Sequence, residues 1–252
     1  MLGRWLGMLL VGLLSGTAEA QEQTLPAEIR VASEVWEEHS NADGSGLAWD
    51  LLRAVFEPAG VKLLASSEPY TRSIGLVRRG KVDAVVGLYR DEVTDLDYPR
   101  WAYADDHVMA LGLARLPRPT LENLAQYRLI WVRGYDFQTQ LPNIRHYQEV
   151  QRRDGIVAML REGRADFYID DDDEIAHLLG ALPQHDDLRV STLQALPLYF
   201  AFARTERGQV LRQLYQQRMD KLVRSGALRP VFKRWKQHYP YDSAQESHHG
   251  TP

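Results

Sequence analysis

The sequence predicts an α/β fold in two units, on three observations. Short apolar runs with strand character alternate with amphipathic segments at three-to-four spacing, the pattern of parallel strands joined by crossover helices. The alternation breaks once, at the proline-rich stretch Arg115-Leu116-Pro117-Arg118-Pro119, and then resumes. The chain has room for both units: 252 residues, 44% hydrophobic and 25% charged, are ample for a sizeable core and too polar for an integral membrane bundle.

Residues 1–20 place Arg4 before an apolar run over 5–14 and end in Ala18-Glu19-Ala20, which reads as a cleaved secretory signal peptide. The run is about half the roughly 20 residues a membrane span needs, and Gln21 stands where a lipid anchor would need cysteine. The mature chain, from near Gln21, is expected to be a free, monomeric periplasmic protein.

After a polar lead over 22–27, residues 29–33 read as a strand and 37–46, dense in turn formers, as an exposed loop. Leu47, Leu51, Leu52, Val55 and Phe56 recur at helical spacing until Pro58 and Gly60 stop the helix. A second strand over 61–64, a helix over 71–79 ended by Gly80, and a strand over 82–88, apolar on both faces, complete the first unit. Past the junction come a short capped helix from Thr120, a strand over 127–132, a loop from Gly134, a helix over 156–161 and a buried strand over 165–169. A helix over 174–182 and a strand over 188–191 close the second unit. The β-prone run 198–203 leads into helices over 206–223 and 228–235. The polar tail from 237 has no apolar periodicity and is predicted disordered.

Thirty Lys and Arg against 34 Asp and Glu, without a strong basic block, exclude a nucleic-acid footprint. The absence of cysteine excludes a thiol nucleophile, disulfides and Cys-ligated metals. No nucleophile elbow, zinc-protease, phosphate-loop or dinucleotide motif occurs, so no catalytic residue is assigned and the reading is not an enzyme. The run Asp170-Asp171-Asp172-Asp173-Glu174 lacks the glycine and spacing of a calcium loop, and His248 and His249 are weak metal candidates. No cofactor and no metal are expected.

The order of elements over 28–235 resembles the extracytoplasmic solute-binding proteins of family 3, the polar amino acid type that serves ABC importers. The motifs are Gly46-Leu-Ala-Trp-Asp50-Leu51, Leu76-Val-Arg-Arg-Gly80-Lys-Val-Asp83-Ala84, its second copy Leu160-Arg-Glu-Gly163-Arg-Ala-Asp166, and the closing Leu222-Val-Arg-Ser-Gly226 to Trp235. The resemblance implies the α/β two-lobed periplasmic-binding-protein type II fold, each lobe a mostly parallel sheet flanked by helices and joined by two hinge strands. Residues 21–112 would begin lobe 1, 113–196 form lobe 2, 197–236 return to lobe 1, and 237–252 remain a disordered tail. It further implies hinge closure on a small polar, amino-acid-like solute and delivery to an ABC permease. A membrane sensor as partner and an exported dehydratase-like enzyme are the alternatives.

Gly80 and Gly163 suit helix ends, Asp83 and Asp166 suit turn-tying, and Asp50 suits a structural place early in a helix. For the ligand, the resemblance implies an aromatic platform at Trp36, whose alternative is a core or surface ring. It also implies cleft residues at Tyr70 and Arg72, the latter a carboxylate clamp or a solvated charge. The family's T-x-x-R is absent. Tyr89 and Arg90 stand near its place, with Asp91 and Glu92 offering Arg90 a surface pairing instead. Where the family has Gly followed by Ser or Thr, this chain has Gly134-Tyr135-Asp136-Phe137, an aromatic and a negative charge where an anion would sit. Asp170 or Asp171 would pair with a ligand ammonium, while Asp172, Asp173 and Glu174 suit a helix start.

Overall fold

The computed structural model describes residues 24–242. The signal peptide expected over 1–20 and the last ten residues lie outside the described residues. In the first lobe β1 (Glu28–Ser33) is flanked by β2 (Lys62–Ser67) and β3 (Ala84–Tyr89), all parallel, with α1 (Leu47–Phe56) and α2 (Tyr70–Arg78) as crossovers. Helix α1 forms because its apolar residues recur on one side, and seven of its ten residues are buried, from Leu47 to Phe56. Each large one stabilises the fold by about 1.5–3 kcal/mol. Strand β3, buried at every position, is the central strand that its unbroken apolar run predicts.

Two residues of β4 (Leu96–Asp97) precede the long strand β5 (Ala104–Leu113), which leads into the second lobe of β6 (Arg128–Val132), β7 (His146–Val150) and β8 (Phe167–Asp171). Here α3 (Phe137–Gln140), α4 (Ile156–Arg161) and α5 (Asp172–Gly180) make the connections. The chain returns through the 16-residue β9 (Leu188–Ala203) and ends in α6 (Glu206–Ser225) and α7 (Arg229–Arg234). One sheet results, in the order β2-β1-β3-β9-β5-β8-β6-β7 with β4 on β9. Strands β5 and β9 run antiparallel between the lobes: β9 pairs with β5 from Leu188 to Leu198, then with β3 from Leu198 to Phe202. These are the two hinge strands of the expected fold.

Several expectations are corrected. The predicted strands 188–191 and 198–203 are one strand, because Pro197 falls beside Leu198, where β9 passes from β5 to β3. Residues 108–112, assigned from sequence to the first lobe, pair with β8, a strand of the second lobe. Strand β7 was not foreseen, since His146-Tyr-Gln-Glu-Val150 is an exposed sheet edge without alternation. The helix expected from Thr120 is only a turn and a 3₁₀ stretch, Leu124–Gln126. Asn123 Oδ1 accepts the Thr120 N–H at 2.7 Å, an alternative to helical pairing. The tail is not disordered over 237–242: Tyr239 and Tyr241 are buried edge-on against Phe232 at 5.3 and 5.8 Å.

The two lobes repeat one tie. Gly80 and Gly163 end their helices at φ 65° and 66°, the left-handed turn that glycine adopts at least cost. Three residues on, Asp83 and Asp166 each accept a backbone N–H and two guanidinium N–H bonds from the opening arginine of the lobe, Arg30 or Arg128. Asp50, as expected, is structural: it accepts from Arg53, Arg234 and Trp235, tying α1 to α7.

Candidate ligand-binding site between the lobes

A cavity of about 1200 Å³ opens between the lobes at the carboxyl ends of β1, β3 and β8 and the start of β5. The first lobe contributes rings. Trp36, in the loop after β1, lies 5.8 Å from Tyr70, and its six-membered ring covers Gly87, where any Cβ would come within 2.5 Å. Glycine at 87 is therefore what lets the indole lie over β3. Behind this wall Glu92 accepts from the Tyr70 hydroxyl at 2.5 Å and the Tyr89 N–H at 2.9 Å, fixing both tyrosines. Burial pushes the Glu92 carboxyl up to about 7.

The second lobe and the hinge contribute charge. Asp170 is fully buried and accepts from Arg153 Nε at 3.0 Å, from the Tyr168 hydroxyl and from the Asp171 N–H. Arg153 also meets Glu174 at 3.1 Å and donates to the Tyr135 hydroxyl at 2.8 Å. Burial opposes its charge, but Asp170 and its neighbours raise its pKa well above the ordinary arginine value, so it stays protonated. Asp171 caps α5 by accepting the Glu174 N–H at 2.7 Å. Burial first, then Asp170 and Asp106, raises its pKa well above the carboxylate range. Asp106, at the start of β5, accepts from the Tyr89 hydroxyl through Oδ2, whereas Oδ1 is buried without a partner. Burial pushes its carboxyl up to about 7, with Asp170 and Asp172 adding to the rise. Tyr103, fully buried and also among the residues that line the cavity, has a hydroxyl without a partner.

The lobes meet around this cavity. Trp36 Nε1 donates to the Tyr135 hydroxyl at 3.4 Å, and Tyr70 and Tyr135 pack edge-on at 5.7 Å. At the mouth His39 faces Asp173 at 3.4 Å, and Glu37 faces His177 at 3.3 Å.

Of the residues singled out from sequence, the structure brings Trp36, Tyr70, Tyr89, Tyr135, Asp170 and Asp171 together. Asp170 faces Arg153, and Asp171 faces the cavity while capping its helix. Arg72 and Arg90, expected as a carboxylate clamp, are not among the residues that line the cavity. Arg72 is 65% exposed and paired one helical turn back with Glu68 at 3.0 Å. Arg90 lies over the Tyr199 ring at 4.2 Å and donates to the Pro99 carbonyl, so neither Asp91 nor Glu92 is its partner. Sequence reasoning missed Arg153 and Asp106. Arg153 sits in the turn run Gln151-Arg-Arg-Asp-Gly155, which carries no periodic signal. Asp106 belongs to Asp105-Asp106-His107 ahead of an apolar run, a polar start that could have marked a strand opening onto a cavity.

No family model and no curated protein matches the sequence. Among solved structures, the substrate-binding protein of an amino acid ABC transporter shares 17% identity at a TM-score of 0.64, covering 82% of this chain and 98% of that one. An ancestral arginine-binding protein bound to glutamine is 15% identical, with a TM-score of 0.66 over 84% and 99% of the two chains. An ancestral amino acid-binding protein described as a precursor of cyclohexadienyl dehydratase is 18% identical, with a TM-score of 0.62 over 83% and 95%. The chain has the two-lobed α/β fold of these proteins, as its resemblance to family 3 implies, and no described helix is long and apolar enough to cross a membrane.

Proposed function

We propose that this protein is an exported, monomeric solute-binding protein that closes its two lobes on a small polar, amino-acid-like solute bearing an amine and delivers it to an ABC importer. The observation that carries the reading is convergence: rings of one lobe and carboxylates of the other share one cavity that retains two buried polar atoms, Asp106 Oδ1 and Tyr103 Oη, without partners. Such atoms are costly to leave unpaired, and a bound solute with hydrogen-bond donors can relieve both. A thermal-shift screen against amino acids, amines, small di-acids and cyclic carboxylates tests it. A ligand at a thousand times its dissociation constant stabilises by about 4 kcal/mol, which for a chain of this size raises the melting midpoint by roughly 8–16 °C. No shift with any class would overturn the reading, and loss of uptake of the identified solute on deleting the protein would support delivery.

A dehydratase-like enzyme is the second reading, favoured by the Asp106 carboxyl at about 7, a value suited to proton transfer near neutrality. Product exceeding one equivalent, on incubation with the identified ligand, would establish it. Unchanged ligand would retain the carrier.

A further inference from the structure

We infer that the ligand of this cavity is an organic cation without a free carboxylate, an amine or guanidine with a flat or extended apolar body. The inference rests on the solute-binding reading and narrows its ligand class. A zwitterionic amino acid needs a receptor for its carboxylate, and the cationic groups in the cavity wall, as opposed to its rim, are already committed. Arg72 and Arg90 lie outside the cavity, held by Glu68 and by Pro99 and Tyr199. The amides of the loop after β6 are used internally: Gly134 N–H donates to Glu149 at 3.0 Å and Tyr135 N–H to the Val132 carbonyl. Of the two guanidiniums that line the cavity, Arg153 lies between Asp170 and Glu174, and Arg161 is held by Asp187. The histidines at the mouth, His39, His107 and His177, face Asp173, Asp172 and Glu37, and Lys236 and His238 are exposed at the rim, in reach of water.

A cation, by contrast, finds uncommitted receptors. Asp106, Asp170, Asp171 and Glu174 share the wall, and Asp106 keeps one carboxylate oxygen without a partner. A free ligand carboxylate would add another negative charge to a region already in excess. An ammonium brings three donors, enough for Asp106 Oδ1, the Tyr103 hydroxyl and Asp171. The opposite wall of Trp36, Tyr70 and Tyr135 offers ring faces, which attract cations in a desolvated site.

Matched pairs that differ by the carboxylate alone provide the test: agmatine and arginine, cadaverine and lysine, tyramine and tyrosine, titrated calorimetrically into the refolded protein near pH 7.5. In at least one pair the amine is expected to bind at least tenfold more tightly than its amino acid. Asp106→Asn, whose fold is checked by circular dichroism, is expected to weaken that amine at least tenfold. An amino acid binding as tightly as its amine, or more so, would overturn this inference and leave the solute-binding reading standing. No binding by either member of any pair, with a shift elsewhere in the wider screen, would overturn the inference alone. No binding in either experiment would overturn both.

Discussion

Arg30 and Asp83 in the first lobe, and Arg128 and Asp166 in the second, meet through the same three hydrogen bonds, with matching lengths of 2.8 to 3.2 Å. The cavity faces of the two lobes share nothing of the kind. One presents Trp36, Tyr70 and Tyr89, the other Arg153 and a group of carboxylates. What repeats between the lobes is scaffold, because the parallel strands of each lobe are tied by the same turn. What differs lies in loops and strand ends that a parallel sheet leaves free at one edge, and there the ligand chemistry is placed. Even the shared tie differs in weight, since Asp83 is 3% exposed and held also by Arg207, whereas Asp166 is 20% exposed with one arginine.

That contrast sets the largest expected effect. Asp83→Asn should destabilise the fold by about 3 kcal/mol, because it breaks a buried, doubly paired charge, while Asp166→Asn, at the surface, should cost under about 1 kcal/mol. Urea unfolding of both variants checks this, and equal losses would break the distinction between the two ties. Trp36→Ala should weaken solute binding by roughly thirtyfold, about 2 kcal/mol, as loss of a central aromatic anchor does. Asp171→Asn keeps the helix cap and removes the carboxyl that a bound cation would ionise, so a loss of about tenfold or more, read by calorimetry, isolates the electrostatic share. Arg72→Ala and Arg90→Ala should leave affinity within about twofold, since a solvated arginine contributes little. A tenfold loss in either would return it to the site.

Much of the scaffold was legible because it follows from burial. β3 and β8 read as strands since both their faces are covered, α1 read as a helix since one face is, and the repeated Gly-x-x-Asp pointed to the two ties. The hinge strand β5 was not legible for a functional reason. Its first residues, Asp105-Asp106-His107, are polar because they line the cavity, and they erase the apolar signal that the rest of the strand carries. β7 was missed because an exposed edge needs no alternation. The aromatic half of the site could be anticipated from loop positions. Arg153 could not, since nothing in a charged turn tells which arginine folds inward to meet Asp170 across 17 residues of chain.

The pH dependence of the two carboxylate classes has opposite sign. Burial acts to raise the Asp83 pKa, but the hydrogen bonds from Arg30 and Arg207 outweigh it and hold it below the usual carboxylate range. Its stabilisation is therefore present above that range and lost as pH falls. Asp106, pushed up to about 7, favours the empty fold below the ordinary carboxylate range, and that contribution is lost as pH rises through 7. The central claim is that the cavity carboxylates are kept for a ligand at a cost to the empty protein. The most direct measurement is urea unfolding of the ligand-free protein, Asp106→Asn and Asp83→Asn at pH 5 and pH 8. At pH 8 Asp106→Asn should be more stable than the parent by at least about 1 kcal/mol, one pKa unit's worth, with a smaller gain at pH 5, while Asp83→Asn is less stable at both. An Asp106→Asn variant as destabilised as Asp83→Asn at pH 8 would contradict the claim and make Asp106 another tie of the scaffold.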